Sequence, residues 1–333
     1  MRRLIHVTAI VTVISAVMGG LIGALQAQTS LGWSVLTGMV TGASIAAGCT
    51  GVEIGLLSNT QLRLVRRLPP LVLALLRGVL YSAVILGGMM LAQSLVGAPM
   101  PWQQDGFGAQ FALSCAIAAV FSTGIEVVRF LGREASWALV SVRYTQPRLE
   151  ERVVMFADVS GSTALGEQLG ALGFHRFLSE VALDLARPIN DAGGQVHRYV
   201  GDAVIVTWPR AAGARACLDC ARAMHGALDQ AAPRYQRRHG AVPRIRIALH
   251  VGEVAAGEMG DWKKEITLLG DVMNTTARIE AAAKNAGAAT VLSDELVQLM
   301  GSAQRAGLVP LPDTPLDGKA APLALWRDGG AAA

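Results

Sequence analysis

Two aspartates in the C-terminal half stand where chemistry is possible. Asp158 ends the apolar run 153–157, and Val159, Ser160, Gly161, Ser162 and Thr163 follow it at once as a turn of small residues before a helix-like stretch. Two readings compete: a strand running into a helix cap, or a metal ligand beside a backbone cradle, since the N–H groups of a helix start can face phosphate oxygens. Asp202 follows Gly201 in QVHRYVGDAVIVTW, which reads as two strands hinged at that tight-turn pair. Two carboxylates alone repel. With Mg²⁺ they form a site with open positions for phosphate oxygens. Asn274 and Arg278, four apart in DVMNTTARIEAAAKNAG, share one face of a helix.

Those residues depend on the elements that carry them. RVVMFADV reads as a strand, and ALGEQLGALGFHRFLSEVALDLARPINDAG as a helix with Phe174, Phe177, Leu178, Val181 and Leu185 near one face. A helix is expected over about 210–230. IRIALHVGEVAAGEMG reads as a strand followed by a glycine-rich turn, EITLLG as a further strand, and 271–287 as a helix. Strand-helix-strand-strand-helix-strand is the ferredoxin-like order, here with an additional strand and helix behind it. In that order the end of the first strand and the tip of the hairpin are neighbours, which places Asp158 beside Asp202.

Three blocks, FADVSGST around Asp158, RYVGD at 198–202 and LLGDVMNTTAR at 268–278, stand in an order and at separations that resemble the catalytic domain of class III nucleotidyl cyclases. The resemblance runs from about residue 152 to 326. It implies an α+β, ferredoxin-like domain working as a head-to-tail homodimer, with two equivalent nucleotide sites that each draw on both chains. It implies that Asp158 and Asp202 hold two Mg²⁺ ions per site, with Mn²⁺ as a substitute. The partner's Asn274 would orient the ribose and the partner's Arg278 would stabilise the transition state. Lys319, in LDGKAAP, falls where a triphosphate-binding lysine is usual. Adenylyl members often carry a lysine four residues before the second aspartate, where this chain has Arg198. Seven before Asn274, where many members have an aspartate, stands Thr267, similar to a bacterial adenylyl subgroup. A hydroxyl can accept from the adenine N6 amine, and an arginine can donate to N1. Guanylyl members tend to use a glutamate and a small polar residue at these two positions, and neither stands here. ATP is the expected substrate, with guanylate cyclase as the alternative. The reaction implied is attack of the ribose 3′-hydroxyl on the α-phosphorus, giving 3′,5′-cyclic AMP and pyrophosphate. A diguanylate cyclase should read GG[DE]EF at the hairpin, and RYVGDAV does not. A catalytically degenerate sensor or scaffold would be favoured by loss of a metal aspartate, Asn274 or Arg278, and all are present.

The rest of the chain has another solvent. No Asp, Glu, Lys or Arg lies between Arg3 and Glu53, far beyond the 18 or so apolar residues of a membrane-span candidate. Four spans read at about 5–26, 34–57, 73–97 and 107–128, making an all-α, four-helix transmembrane domain over 1–131. A linker over 132–150 follows, then the catalytic domain over 151–333. A cleavable signal peptide is the alternative for the first span, since ALQAQ offers small residues, but the apolar run is longer than a usual signal core and a second span follows closely. Basic residues sit before the first span (Arg2, Arg3), between the second and third (Arg63, Arg66, Arg67) and after the fourth (Arg129, Arg133), whereas the other two loops carry only Asp105. Both termini are therefore expected in the cytoplasm of a bacterial inner-membrane, multi-pass protein, with the membrane half a further candidate for dimer contact.

The formal charge of +4 comes from arginines beside the membrane, with ten arginines and no lysine in residues 1–150, so a nucleic-acid partner is not expected. Arg77 and Glu126 fall near span ends, where snorkelling is cheap. Glu53 sits deeper. The membrane half reads as lacking paired charges across the bundle, which argues against a transporter, and its GxxxG-like spacings carry little weight in so glycine-rich a chain. Cys217 and Cys220, without a second pair or a histidine cluster, read as buried thiols on a helix.

Overall fold

The computed structural model describes residues 2–25, 31–58, 70–97, 100–103, 106–131, 144, 146–261, 265–312 and 322–329. The chain divides into two compact units, Met1–Val127 and Val128–Ala333. The loops near 27–30 and 59–69, most of the connector 132–143 and Lys319 lie outside the described residues.

In the first unit the apolar stretches form α1 (Arg2–Leu25), α2 (Leu31–Ser58), α3 (Pro70–Val96) and α4 (Phe107–Leu131). Among the described residues, Leu31–Glu53 and Leu75–Leu95 are long and apolar enough to cross a bilayer, whereas Val11–Leu25 and Phe107–Val120 are shorter apolar helices. Glycines set the spacing of α1 against α2. A Cβ on Gly19 would lie 2.1 Å from the Gly38 carbonyl oxygen, and one on Gly42 would lie 2.1 Å from that of Ser15. The GxxxG-like spacings are thus a packing surface, since small residues let two backbones approach.

One expectation for this unit is overturned. Arg77 does not snorkel and the bundle does not lack paired charges. Glu53 on α2 and Arg77 on α3 are each only 4% exposed. Arg77 meets the Glu53 carboxylate through Nε at 3.1 Å and Nη2 at 3.4 Å, and the Tyr81 hydroxyl, one turn further along α3, donates to the same carboxylate. Each charge spares the other from being buried uncompensated, which would be the costlier state in an apolar surrounding. Outward, Val13, Val17, Leu21, Leu75, Val79, Leu95, Leu113, Ile117 and Val120 are exposed.

The second unit is built on one eight-stranded sheet, in the order β2-β3-β1-β4-β6-β8-β7, with β5 paired to β4. Its strands are β1 (Arg148–Val159), β2 (Gln195–Val200), β3 (Ala203–Pro209), β4 (Ile245–Met259), β5 (Glu265–Leu269), β6 (Thr290–Ser293), β7 (Leu308–Pro310) and β8 (Leu325–Asp328). Helices α5 (Ser162–Asp191) and α6 (Arg210–His239) connect β1 to β2 and β3 to β4, and α7 (Asp271–Asn285) follows β5. The first six elements make the ferredoxin-like arrangement, an α+β fold. Alternation along β1 sorts the core. Val153, Met155 and Ala157 pack with Phe177, Val181, Leu218 and Met224 beneath α5 and α6. Val154 turns to the other face with Val254 and Val272, the latter on α7.

Two boundaries differ from expectation. Helix α6 runs on to His239, because Leu228, Ala231 and Tyr235 continue its buried stripe and the Tyr235 ring packs edge-on against Phe177. The glycine-rich part of β4 is strand rather than turn: residues 255–259 pair with β5. A Cβ on Gly252 would meet Val272 at 3.0 Å and one on Gly257 would meet Pro147 at 3.1 Å, so both serve close approach. Cys217 and Cys220 are buried free thiols on α6, and burial pushes each up to about 12.

Candidate active site

Strand β1 pairs antiparallel with β3 up to Ala157↔Val204, and the two residues between β2 and β3 are Gly201 and Asp202. The reversal needs a left-handed residue, and Gly201 supplies it at φ +61. Asp202 is thereby carried to the end of β1, close enough for its charge to act on Asp158. Burial first, and then the neighbouring negative charges of Asp202 and Glu280, push the Asp158 carboxyl up to about 6, against the opposing pull of Arg246.

Arg246 was not singled out from the sequence, and it organises this end of the sheet. Its Cα stands opposite Asp158 in the β1–β4 register. Its guanidinium donates from Nη2 to Asp158 Oδ2 at 3.1 Å, from Nη1 to Ser160 Oγ at 3.0 Å and from Nε to Glu280 Oε1 on α7 at 2.9 Å. The signal was available: once β4 is laid beside β1, an arginine faces the aspartate as an opposite-charge cross-strand pair.

In the turn after Asp158, not every residue of 159–163 has an uncommitted backbone N–H. Val159 is still in β1, facing Ile245, and the Ser160 N–H donates to the Arg244 carbonyl at 2.8 Å. Gly161, at φ +70, leads into α5, and no side chain caps that helix start, so Gly161, Ser162 and Thr163 carry its N-terminal N–H groups.

On α7, Val272, Thr275, Thr276, Ile279, Ala282 and Ala283 are buried against the sheet, whereas Asn274 is exposed and Arg278 half-buried. At 3.6 residues per turn, Glu280 lies about 160° around the helix from Arg278. The side chain that reaches the Asp158 cluster is therefore on the opposite flank from Asn274 and Arg278. Arg198 on β2 donates from Nη2 to Glu265 Oε2 on β5 at 2.5 Å. Thr267, two residues along β5 and so on the same strand face, is half-buried and donates its hydroxyl proton to the Gly257 carbonyl at 3.3 Å.

Hard oxygen donors on two neighbouring carboxylates fit a divalent cation. Among the described residues no group of three or more His, Cys, Asp or Glu side chains is placed to hold a metal. A cation on Asp158 and Asp202 would therefore complete its shell with phosphate and water oxygens, as Mg²⁺ commonly does.

Residues 144–318, just over half the chain, match the family described as Adenylate and Guanylate cyclase catalytic domain. "Adenylate cyclase 2" of Rhizobium meliloti (strain 1021) is 38% identical over 176 residues, covering 52% of this chain and 48% of that protein. "Adenylate cyclase" of Anabaena cylindrica is 26% identical over 176 residues, covering 51% and 35%. A solved bacterial light-regulated adenylyl cyclase superposes with a TM-score of 0.58 at 18% identity, over 66% of this chain and 65% of that one, a likeness of fold. The chain thus spans less than half the length of these curated relatives.

Proposed function

Because the chain belongs to the class III adenylate and guanylate cyclase family through its catalytic domain, we propose that it is a membrane-anchored adenylate cyclase. In this reading it converts ATP to 3′,5′-cyclic AMP and pyrophosphate at sites shared by two copies. The observation that carries it is the meeting of Asp158 and Asp202 at the end of β1, with Arg246 bracing the first of them.

Each residue then has a task. Asp158 and Asp202 hold Mg²⁺, two ions per site, or Mn²⁺ in its place. Bound there, the metal would acidify the 3′-hydroxyl and offset the triphosphate charge. Arg246 fixes the orientation of Asp158. Gly161, Ser162 and Thr163 turn N–H groups at the start of α5 toward phosphate oxygens. The partner's Arg278 balances charge as it builds on the phosphoryl oxygens, a donor whose loss typically costs about 10²–10³ in rate, while the partner's Asn274 aligns the ribose. Lys319 is the proposed further triphosphate contact. The need for a partner is supported by α7 itself, whose Asn274–Arg278 flank turns away from the Asp158 cluster of its own chain. A homodimer supplies the missing half twice over.

Selection of adenine is supported by Thr267. With its proton committed to Gly257, its oxygen is left as an acceptor. The adenine N6 amine can donate to it and the guanine O6 cannot. Anchoring in the membrane, with four spans and both termini in the cytoplasm, is supported by the two apolar helices of spanning length and by the outward apolar side chains of α1, α3 and α4. The deciding experiment is turnover by the full-length protein in detergent or native membranes, with ATP or GTP and Mg²⁺ or Mn²⁺. Cyclic AMP with a clear preference for ATP is expected. Cyclic GMP as the main product, or no cyclic nucleotide from a folded protein, refutes the reading.

A further inference from the structure

Arg198 poses a physical problem as a reader of a base. It is a long, exposed side chain on an edge strand, and an arginine fork donates usefully only when its plane is fixed. Glu265 fixes it. The contact at 2.5 Å joins residues 67 positions apart, on strands β2 and β5 that are not paired with each other. No local backbone geometry demands it. Glu265 stands opposite Met259 and Thr267 opposite Gly257 in the β4–β5 register, so both side chains rise from one face of β5. The guanidinium is thus held beside the strand face that bears the Thr267 acceptor.

We propose that Glu265 is a positioning residue for base selection: by holding Arg198 against β5 it sets a donor beside the Thr267 acceptor, the complement of the N1 and N6 edge of adenine. Read at the same two points, guanine offers the opposite pattern, an acceptor at O6 and a donor at N1. A freely swinging Arg198 could follow either base; a tethered one cannot. This inference rests on the assignment of Arg198 and Thr267 to the base made above.

The test uses the full-length protein and two readouts. One is kcat and KM for ATP and GTP separately. The other is competition by ATP and by GTP for a bound fluorescent purine nucleotide, which reports selectivity whether or not turnover occurs. In E265A, and in E265Q as the near-isosteric control, the ATP-to-GTP ratio should fall roughly tenfold, the size of one hydrogen bond at a base edge. The change should sit in KM and competition affinity, with kcat for ATP moving less. In an R198A background, E265A should then have no further effect on the ratio, because a residue acting through another is non-additive with it. An unchanged ratio in E265A, an equal loss for both nucleotides, or a full E265A effect that persists without Arg198 would each overturn the proposal. A wild type that binds ATP selectively but makes no cyclic AMP would refute the cyclase reading while the competition ratios still judge Glu265.

Discussion

Replacing Glu53 by alanine should destabilise the helical unit more than any other single truncation in it. Glu53 and Arg77 are each 4% exposed, and the carboxylate receives the Arg77 guanidinium and the Tyr81 hydroxyl. Removing one partner of a buried pair leaves an uncompensated charge, at a cost of about 3–5 kcal/mol. The stranded Tyr81 donor adds roughly 1–3 kcal/mol. Replacing both charges with apolar groups removes the uncompensated charge, and such exchanges are often neutral or stabilising. The signature is therefore a partial recovery: E53A strongly destabilised, E53L/R77M regaining the uncompensated-charge share and E53L/R77M/Y81F, which also removes the stranded donor, restored to near wild type. Thermal unfolding of the detergent-solubilised protein reads stability. Thiol labelling of Cys49, which is buried in the same small core as Tyr81, reads local opening and should quicken in E53A alone. An E53A protein as stable as wild type, or a double variant no better than the single, would show that the pair does not hold α2 to α3 as the geometry implies.

Three further outcomes are expected. D202A and R278A should each be nearly inactive alone, yet a mixture should regain activity, up to about half that of wild type per heterodimer, because one of its two sites carries neither lesion; no recovery in a demonstrably mixed dimer would point to sites built within one chain. Gly38→Leu should sharply lower thermal stability, because a Cβ there would lie 2.1 Å from the Gly19 carbonyl oxygen, whereas Gly32→Leu, with nothing within 4 Å, should not; equal melting temperatures would refute the α1–α2 packing. Reporters fused after residues 30, 65, 102 and 135 should alternate outside, inside, outside, inside, and an outside signal at 65 or 135 would overturn the four-span topology.

The meeting of Asp158 and Asp202 was legible because it depends only on strand order. An alternating run ending in aspartate and a hairpin with Gly-Asp at its tip are local patterns, and the ferredoxin-like order makes their ends neighbours. Arg246 was legible in principle by the same logic, but its role needs the register of β4 on β1, and register is one step finer than order. Glu280 was harder still, since its contact depends on how α7 is rotated over the sheet. In the helical unit a polar contact for Glu53 was one of two open readings, but its partner Arg77 escaped for a related reason. The residues are 24 positions apart on helices whose mutual depth and rotation no periodicity reports, since a helix apolar all round has no marked face. The glycines of α1 and α2 were visible as spacing, but spacing alone does not say which backbone lies opposite.

Two arginines of the catalytic unit are held by glutamates from elements distant in sequence, and the difference between them bears on how a nucleotide is recognised. Arg246 is half-buried among three acceptors, Asp158, Ser160 and Glu280. A triphosphate or a divalent cation arriving at Asp158 brings charge of its own and can redistribute those contacts, because ionic partners compete directly. Arg198 is exposed, with the Glu265 carboxylate as its close ionic partner. A purine edge is neutral, and a neutral acceptor competes for a guanidinium less strongly than an ionic group does. If Arg198 reads the base as proposed, it would do so from within the Arg198–Glu265 pair, using N–H groups of the fork that the carboxylate does not occupy. In the proposed site, the phosphate end around Asp158 would then rearrange on binding, whereas the base end around Arg198 would be arranged before the nucleotide arrives.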